Sequence, residues 1–300
     1  MFGNGVRWLC TAAVAVSASV SGAGVAGADA PEGKELVVLG DSFSANVWNI
    51  IEQETDCRRH GPTAWPTQLG KLMGVDGTDQ MSNPSCPGAS IDSGPGWTLA
   101  MQAKRADEEG AFGPRTKVVT LQFGLNDKWG KSEQTLWNSL EQCVFNLELG
   151  CGPEAVDEGR MTDYTGVSGK LFAERMRNAV TYIRYYAPNA RIVLVGYPEL
   201  FVSGSDTVCL NFFGVAPFIN PRGRAAVEYF DRIDRAQREA AQILNLEFID
   251  ARALTAGHGL CSATPWVNGV FDPRADFGGL FFHPSTQGDA VVANAIHAGR

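Results

Sequence analysis

The sequence predicts an α/β protein with a parallel sheet covered by helices on both faces. Three observations carry this prediction. Short apolar runs rich in Val, Leu and Ile recur at 35–40, 116–123, 191–196 and 246–250, as strands buried on both faces require. Longer segments with apolar residues at helical spacing alternate with them. No internal repeat and no linker composition interrupts the alternation, so residues 31–300 read as a single domain.

Each element has its own signal. Glu35–Gly40 is an apolar run stopped by glycine, and Thr63–Met73 reads as a helix. A short strand-like stretch precedes Asn83. Thr116–Phe123 is rich in β-branched residues and ends at Gly124. Ser168–Ala187 places Leu171, Phe172, Ala179, Val180 and Ile183 at helical spacing, and Pro188 closes it. Arg191–Gly196 is the next strand. Asn220–Leu244 is a long helix with Phe230, Ile233, Ala240 and Ile243 on one side. Leu246–Asp250 is a further strand and Ser285–Ala298 a closing helix. The stretches 125–165 and 198–220 are rich in Trp, Gly and Pro, and each holds cysteine. They are expected to be irregular, disulfide-tied excursions near a substrate site.

The first thirty residues are expected to lie outside the fold. Arg7 precedes an apolar stretch to Val20, and small residues follow to Ala28-Asp29-Ala30. A basic start, a short apolar core and an A-x-A site form a secretory signal peptide. The expected mature start is Pro31, with Ala26-Gly27-Ala28 as the competing cleavage site. The apolar stretch is rich in Ala and Ser, which disfavours a retained anchor, and no second run approaches membrane-spanning length. The expected product is secreted, carries no transmembrane segment after processing and is a monomer.

Lys plus Arg number 25 against 33 Asp plus Glu, a net charge of −8. That excludes a protein built to wrap nucleic acid, and it is compatible with an enzyme acting on uncharged or lipid-like substrates. Losing Cys10 with the leader leaves Cys57, Cys86, Cys143, Cys151, Cys209 and Cys261. An even number in an exported chain reads as three disulfides, with fifteen connectivities open. No C-x-x-C pair exists, and His60 and His258 lack ligand spacing, so neither a metal nor another cofactor is expected.

Folds of this class place ligands beyond the carboxyl ends of their strands, so residues just after strands carry the functional signal. Gly40-Asp41-Ser42-Phe43-Ser44 sets a serine at a strand-to-helix turn, where backbone N–H groups point outward. An N-cap would use the same residue. Gly88, in Asn83-Pro-Ser-Cys-Pro-Gly88, lets a backbone N–H approach a substrate oxygen, although most glycines merely turn the chain. Gly124-Leu125-Asn126-Asp127 offers a neutral side-chain donor suited to an oxyanion, or a simple cap. Phe281-Phe282-His283-Pro284-Ser285 holds an imidazole before the last helix, where it can serve as a general base or be merely structural. Two other signals fail. Gly124 to Ser132 resembles a phosphate loop, but five residues separate its glycines where four are needed, and G-x-S-x-G does not occur.

Taken in order, these four blocks resemble the SGNH (GDSL) hydrolase family: Gly40-Asp41-Ser42, Gly88, Gly124-Leu125-Asn126-Asp127 and His283-Pro284. The resemblance spans about residues 35–298. The six cysteines are similar to those of secreted actinobacterial members, whose disulfides are sequential. The resemblance implies Cys57–Cys86, Cys143–Cys151 and Cys209–Cys261. It also implies a flavodoxin-like three-layer α/β/α fold and metal-free ester hydrolysis. In that reading Ser42 is the nucleophile, His283 the base, and the Ser42 N–H, Gly88 N–H and Asn126 amide form the oxyanion hole.

One position departs from the pattern. The family usually carries Asp three residues before the base, and Leu280 stands there. The Leu280 main-chain carbonyl is the expected orienting group, because an acceptor there has only to set the tautomer. Asp276 is the alternative, and a dead site is the third. The expected substrate is a carboxylic ester of an acyl lipid, a phospholipid or an acylated glycan, with Trp48, Trp97, Trp129 and Trp137 near the cleft. The rival reading is a non-catalytic cell-envelope lipid- or glycan-binding protein on the same fold.

Overall fold

The structure is a computed structural model that describes residues 31–47, 57, 59–94, 97–276 and 279–299. The expected leader 1–30 and Trp48 lie outside the described residues.

The chain opens with β1 (Leu36–Gly40), the single turn α1 (Ser42–Ala45) and α2 (Trp65–Met73). Next come β2 (Met81–Ser82), α3 (Leu99–Glu108) and β3 (Val118–Gln122). Then α4 (Leu136–Ser139) runs into a π-helical turn (Leu140–Val144), followed by α5 (Glu154–Asp157), α6 (Gly169–Tyr186) and β4 (Arg191–Val195). The hairpin β5 (Val208–Phe212) and β6 (Ala216–Asn220) precedes α7 (Arg224–Leu244), β7 (Glu247–Ile249), α8 (Ala251–Leu254) and α9 (Thr286–Ala298).

Five strands form one parallel sheet in the order β2-β1-β3-β4-β7. Strand residues alternate between two apolar layers. Val37, Leu39, Val119, Leu121, Ile192 and Leu194 join the core filled by α3, α6 and α7. Leu36, Val38, Val118, Val193 and Val195 join Trp65 and Leu69 of α2 and Val292 and Ile296 of α9. This is the expected three-layer α/β/α fold. Its strand order reverses between β1 and β3, the place where such sheets open a crevice beyond their carboxyl ends.

Two expectations need correction. The stretch 198–220 is not wholly irregular, since β5 and β6 pair antiparallel from Val208↔Asn220 to Phe212↔Ala216. For the same reason α7 starts at Arg224 rather than Asn220. Asn220 precedes Pro221, whose ring disfavours a helical neighbour, and its amide donates to the Val144 carbonyl (2.9 Å). The disulfides are Cys57–Cys86, Cys143–Cys151 and Cys209–Cys261. Cys143–Cys151 closes a loop within the first excursion, and Cys209–Cys261 ties the second to the segment before α9.

Candidate active site

The serine turn hangs from the sheet. Beyond the two residues of β2, the edge of β1 is partnered at Gly40 by the Cys86 N–H, which donates to the Gly40 carbonyl (3.0 Å), and by the side-chain amide of Gln102 on α3, which accepts from the Gly40 N–H (2.8 Å) and donates to the same carbonyl (2.9 Å). A Cβ on Gly40 would lie 2.2 Å from Ser44 Oγ, so only glycine lets the chain turn this tightly. Asp41 caps α1, its Oδ1 accepting from the Phe43 N–H (2.9 Å). Its Oδ2 accepts from the Tyr197 hydroxyl (2.6 Å), which in turn accepts from the Leu125 N–H (3.3 Å). Burial pushes the Asp41 carboxyl up to about 7, against the lowering effect of these donors.

Ser42 and His283 meet although 241 positions separate them. Ser42 Oγ lies 2.8 Å from His283 Nε2. His283 Nδ1 lies 2.8 Å from the Phe281 carbonyl. A carbonyl can only accept, so the proton sits on Nδ1 and Nε2 is left free to accept from the serine hydroxyl. The ring packs against Phe43 (centroids 4.1 Å apart) and lies nearly parallel to Trp137 (5.9 Å, 13°). Burial lowers the imidazole pKa to about 4, only partly offset by the carbonyl.

The orienting acceptor is therefore Phe281, not Leu280. The Leu280 carbonyl instead accepts from the His283 backbone N–H (3.3 Å), closing the turn. Within that turn Phe282 takes a left-handed conformation (φ 63°). Asp276 points elsewhere, its Oδ2 accepting from the Thr286 N–H (2.6 Å) at the start of α9.

The Cys86–Gly40 hydrogen bond joins the loop of Gly88 to the serine turn, and Asn126 in turn bonds to that loop. Gly88 has φ 79°, and no heavy atom lies within 4 Å of where a Cβ would stand. It is glycine for its backbone, and the space beside it is open. Asn126 donates to the Ala89 carbonyl (2.8 Å), in the loop of Gly88, and accepts from the Trp137 indole N–H (2.7 Å). Those two partners set the amide orientation and leave its second N–H available. Neither Ser42 nor Gly88 has an acceptor for its backbone N–H among the described residues. Asp127 is buried and accepts from the Ile91 N–H (3.0 Å) and the Arg175 guanidinium, so it braces the loop and takes no part in the pocket.

Several positioning residues carry no motif. Asn46 accepts from the Leu280 N–H (3.0 Å) and donates to the Pro284 carbonyl (2.9 Å) and to Asp289 Oδ2 (2.7 Å), clamping the base loop from below the serine turn. The Asn268 backbone pairs with Phe282 (2.7 Å) and His283 (2.8 Å). Among the tryptophans, Trp137 borders the site, whereas Trp129 is core: it stacks on Phe172 and donates to the Gly124 carbonyl (3.0 Å). Trp97 is only partly buried and packs against the same core.

Beside the imidazole lies a narrow apolar cavity of about 20 Å³. Trp137, Leu140, Val144, Leu210, Phe230 and Phe282 are among its walls, and every lining residue is apolar. Among the described residues, no cluster of three or more His, Cys, Asp or Glu is placed to hold a metal ion. No helix among them is long and apolar enough to cross a membrane.

Comparison with known proteins identifies the family. Residues 38–291 match the GDSL-like lipase/acylhydrolase family. Lipase 1 of Streptomyces coelicolor is 27% identical over 291 residues, 95% of this chain and 94% of that protein. The lipase of Streptomyces rimosus is 29% identical over 85% of this chain and 82% of its own length. Among solved structures, phospholipase A1 from Streptomyces albidoflavus superposes with a TM-score of 0.60 at 22% identity. It covers 87% of this chain and 98% of its own. The match takes in the serine turn, the Asn126 loop and the imidazole loop, and the chain belongs to the GDSL-like lipase/acylhydrolase family, of which it is a lipase or esterase.

Proposed function

We propose that the chain is an exported serine hydrolase of lipid acyl esters, working through an acyl-enzyme on Ser42. The observation that carries this reading is the 2.8 Å approach of Ser42 Oγ to His283 Nε2, with the tautomer set by the Phe281 carbonyl. Ser42 Oγ attacks the ester carbonyl carbon while Nε2 takes its proton. The Ser42 and Gly88 N–H groups and the Asn126 amide hold the oxyanion. Collapse expels the alcohol, which takes the proton back from His283. Water, deprotonated by His283, then attacks the acyl-serine and releases the carboxylic acid. The Phe281 carbonyl is neutral, so it orients the ring without supplying the charge that a carboxylate would.

The wholly apolar lining of the narrow cavity beside the imidazole supports an acyl group as its occupant. Relatives described as lipases point the same way. Export is supported by the three disulfides and by the leader pattern of residues 1–30, with Pro31 as the mature start. A chain-length series of nitrophenyl esters, run beside acetylated sugars, tests the substrate class. Turnover that rises from acetyl toward longer acyl chains is expected. Faster cleavage of acetylated sugars would overturn the lipid reading in favour of a glycan esterase.

A further inference from the structure

We propose that the tip of the β5–β6 hairpin, with Phe271 beside it, is the surface by which this enzyme docks on a neutral or zwitterionic lipid–water interface. The proposal rests on the reading of the chain as a hydrolase of lipid esters. Residues 208–220 contain no Asp, Glu, Lys or Arg. The apolar side chains at and around the tip face solvent: Val215 is 85% exposed, Phe213 58%, Ile219 52% and Phe271 44%. Scattered apolar residues on a surface mean little, but a contiguous patch of aromatic and branched side chains marks a contact site.

The patch is held outward. Cys209–Cys261 anchors the first strand, the Phe213 N–H donates to the Val270 carbonyl (2.8 Å), and the Val270 N–H donates to the Asn211 carbonyl (2.9 Å). Phe213 has φ 57° and Gly214 φ 74°. A two-residue left-handed turn is where Asn-Gly is least strained, and a bulky aromatic is a costly choice there. Such a departure from local preference is expected where the side chain serves a contact rather than the turn.

The patch is also continuous with the catalytic loop. Phe213 stacks on Phe271 (5.9 Å, 11°), Phe271 meets Phe281 edge-on (5.0 Å, 72°), and the carbonyl of Phe281 holds His283. On the inner side of the same hairpin, Leu210 lines the apolar cavity. One element thus presents an apolar tip to solvent and an apolar wall to the acyl site. Its charged flank is self-compensated, since buried Asp272 pairs with Arg274 (2.6 Å). The chain as a whole carries −8, which repels anionic headgroups, so the interface it fits is uncharged or zwitterionic.

The test is co-sedimentation of the full disulfide-bonded enzyme with phosphatidylcholine vesicles and with phosphatidylglycerol vesicles. The variants are Phe213→Asn and Val215→Ser, alone and combined. Asn takes the left-handed position with less strain, so Phe213→Asn is expected to melt no lower than the unsubstituted enzyme. Vesicle binding to phosphatidylcholine should fall about tenfold for each substitution, as partial withdrawal of a large apolar side chain from lipid predicts. Hydrolysis of a soluble short-chain nitrophenyl ester should stay within about twofold, because neither residue touches the serine or the imidazole. Phosphatidylglycerol should bind more weakly than phosphatidylcholine. Unchanged vesicle binding in the double variant would overturn the proposal. So would a dimer of the unsubstituted enzyme that the same variant dissociates, since the tip would then serve a second copy. Vesicle binding is read without turnover, so loss of soluble-ester activity in the unsubstituted enzyme would strike the catalytic reading alone.

Discussion

Ser42 and His283, the proposed nucleophile and base, are held by different kinds of structure. Ser42 stands two residues beyond the end of β1, and the residues around it are locked by side chains from three other parts of the fold: Gln102 on α3, Tyr197 beyond β4, and Gln122 on β3, which accepts from Ser44 (2.8 Å). His283 stands in a loop, and what fixes it is main chain: the Phe281 carbonyl for the ring, the Asn268 backbone for the segment, and Asn46 for its two ends. The regular half can be read from motifs, because its geometry follows from strand, turn and cap. The looped half cannot, because a carbonyl acceptor exists at every residue and leaves no mark on the sequence.

Substitutions on the two sides should therefore differ in kind. The largest effect is expected from His283→Ala, which removes the base and should cost about 10⁴ in kcat with a soluble ester. Asp276→Asn should retain most activity, since Asp276 serves the start of α9 and does not touch the imidazole. Equal losses in side-by-side assays would return the orienting role to Asp276. Asn126→Ala comes next. Loss of the oxyanion donor proposed at this position should lower kcat by about 10²–10³ with KM little changed. A change confined to KM would instead make Asn126 a substrate-binding residue.

The pH profile gives a smaller but more selective effect. The base must be neutral to accept the serine proton. Burial holds the His283 pKa near 4, so kcat/KM should be flat through pH 6 and fall as pH drops through about 4. A fall centred near the ordinary imidazole value would mean that the ring is better solvated, or better supplied with negative charge, than its packing against Phe43 and Trp137 implies.

Much of this was legible beforehand, for identifiable reasons. The strands β1, β3 and β4 are apolar on both faces, which is the signature of a covered parallel sheet, and α6 and α9 start where expected, each capped by the serine, Ser168 or Ser285, that precedes its first turn. By contrast α3 was missed because its buried stripe is Leu99, Gln102, Ala103 and Ala106, too small and polar to read as apolar periodicity. The β5–β6 hairpin was hidden because Phe213 occupies a turn position where Asn or Gly would announce one. At the site, Ser42 Oγ and His283 Nε2 lie 2.8 Å apart and Asn126 bonds into the loop of Gly88, whereas the acceptor on the imidazole is Phe281 where Leu280 was expected. That single-residue shift follows from the left-handed Phe282, a backbone conformation that no pattern of side chains predicts.

The most direct test of the Ser42–His283 pair is peptide mapping after treatment with a serine-directed fluorophosphonate, in the unsubstituted enzyme and in His283→Ala. A single adduct on Ser42 that tracks the loss of ester hydrolysis, and that forms far more slowly without the imidazole, is the predicted result. Full inhibition with the adduct on another residue, or labelling of Ser42 at the same rate in both proteins, would contradict it.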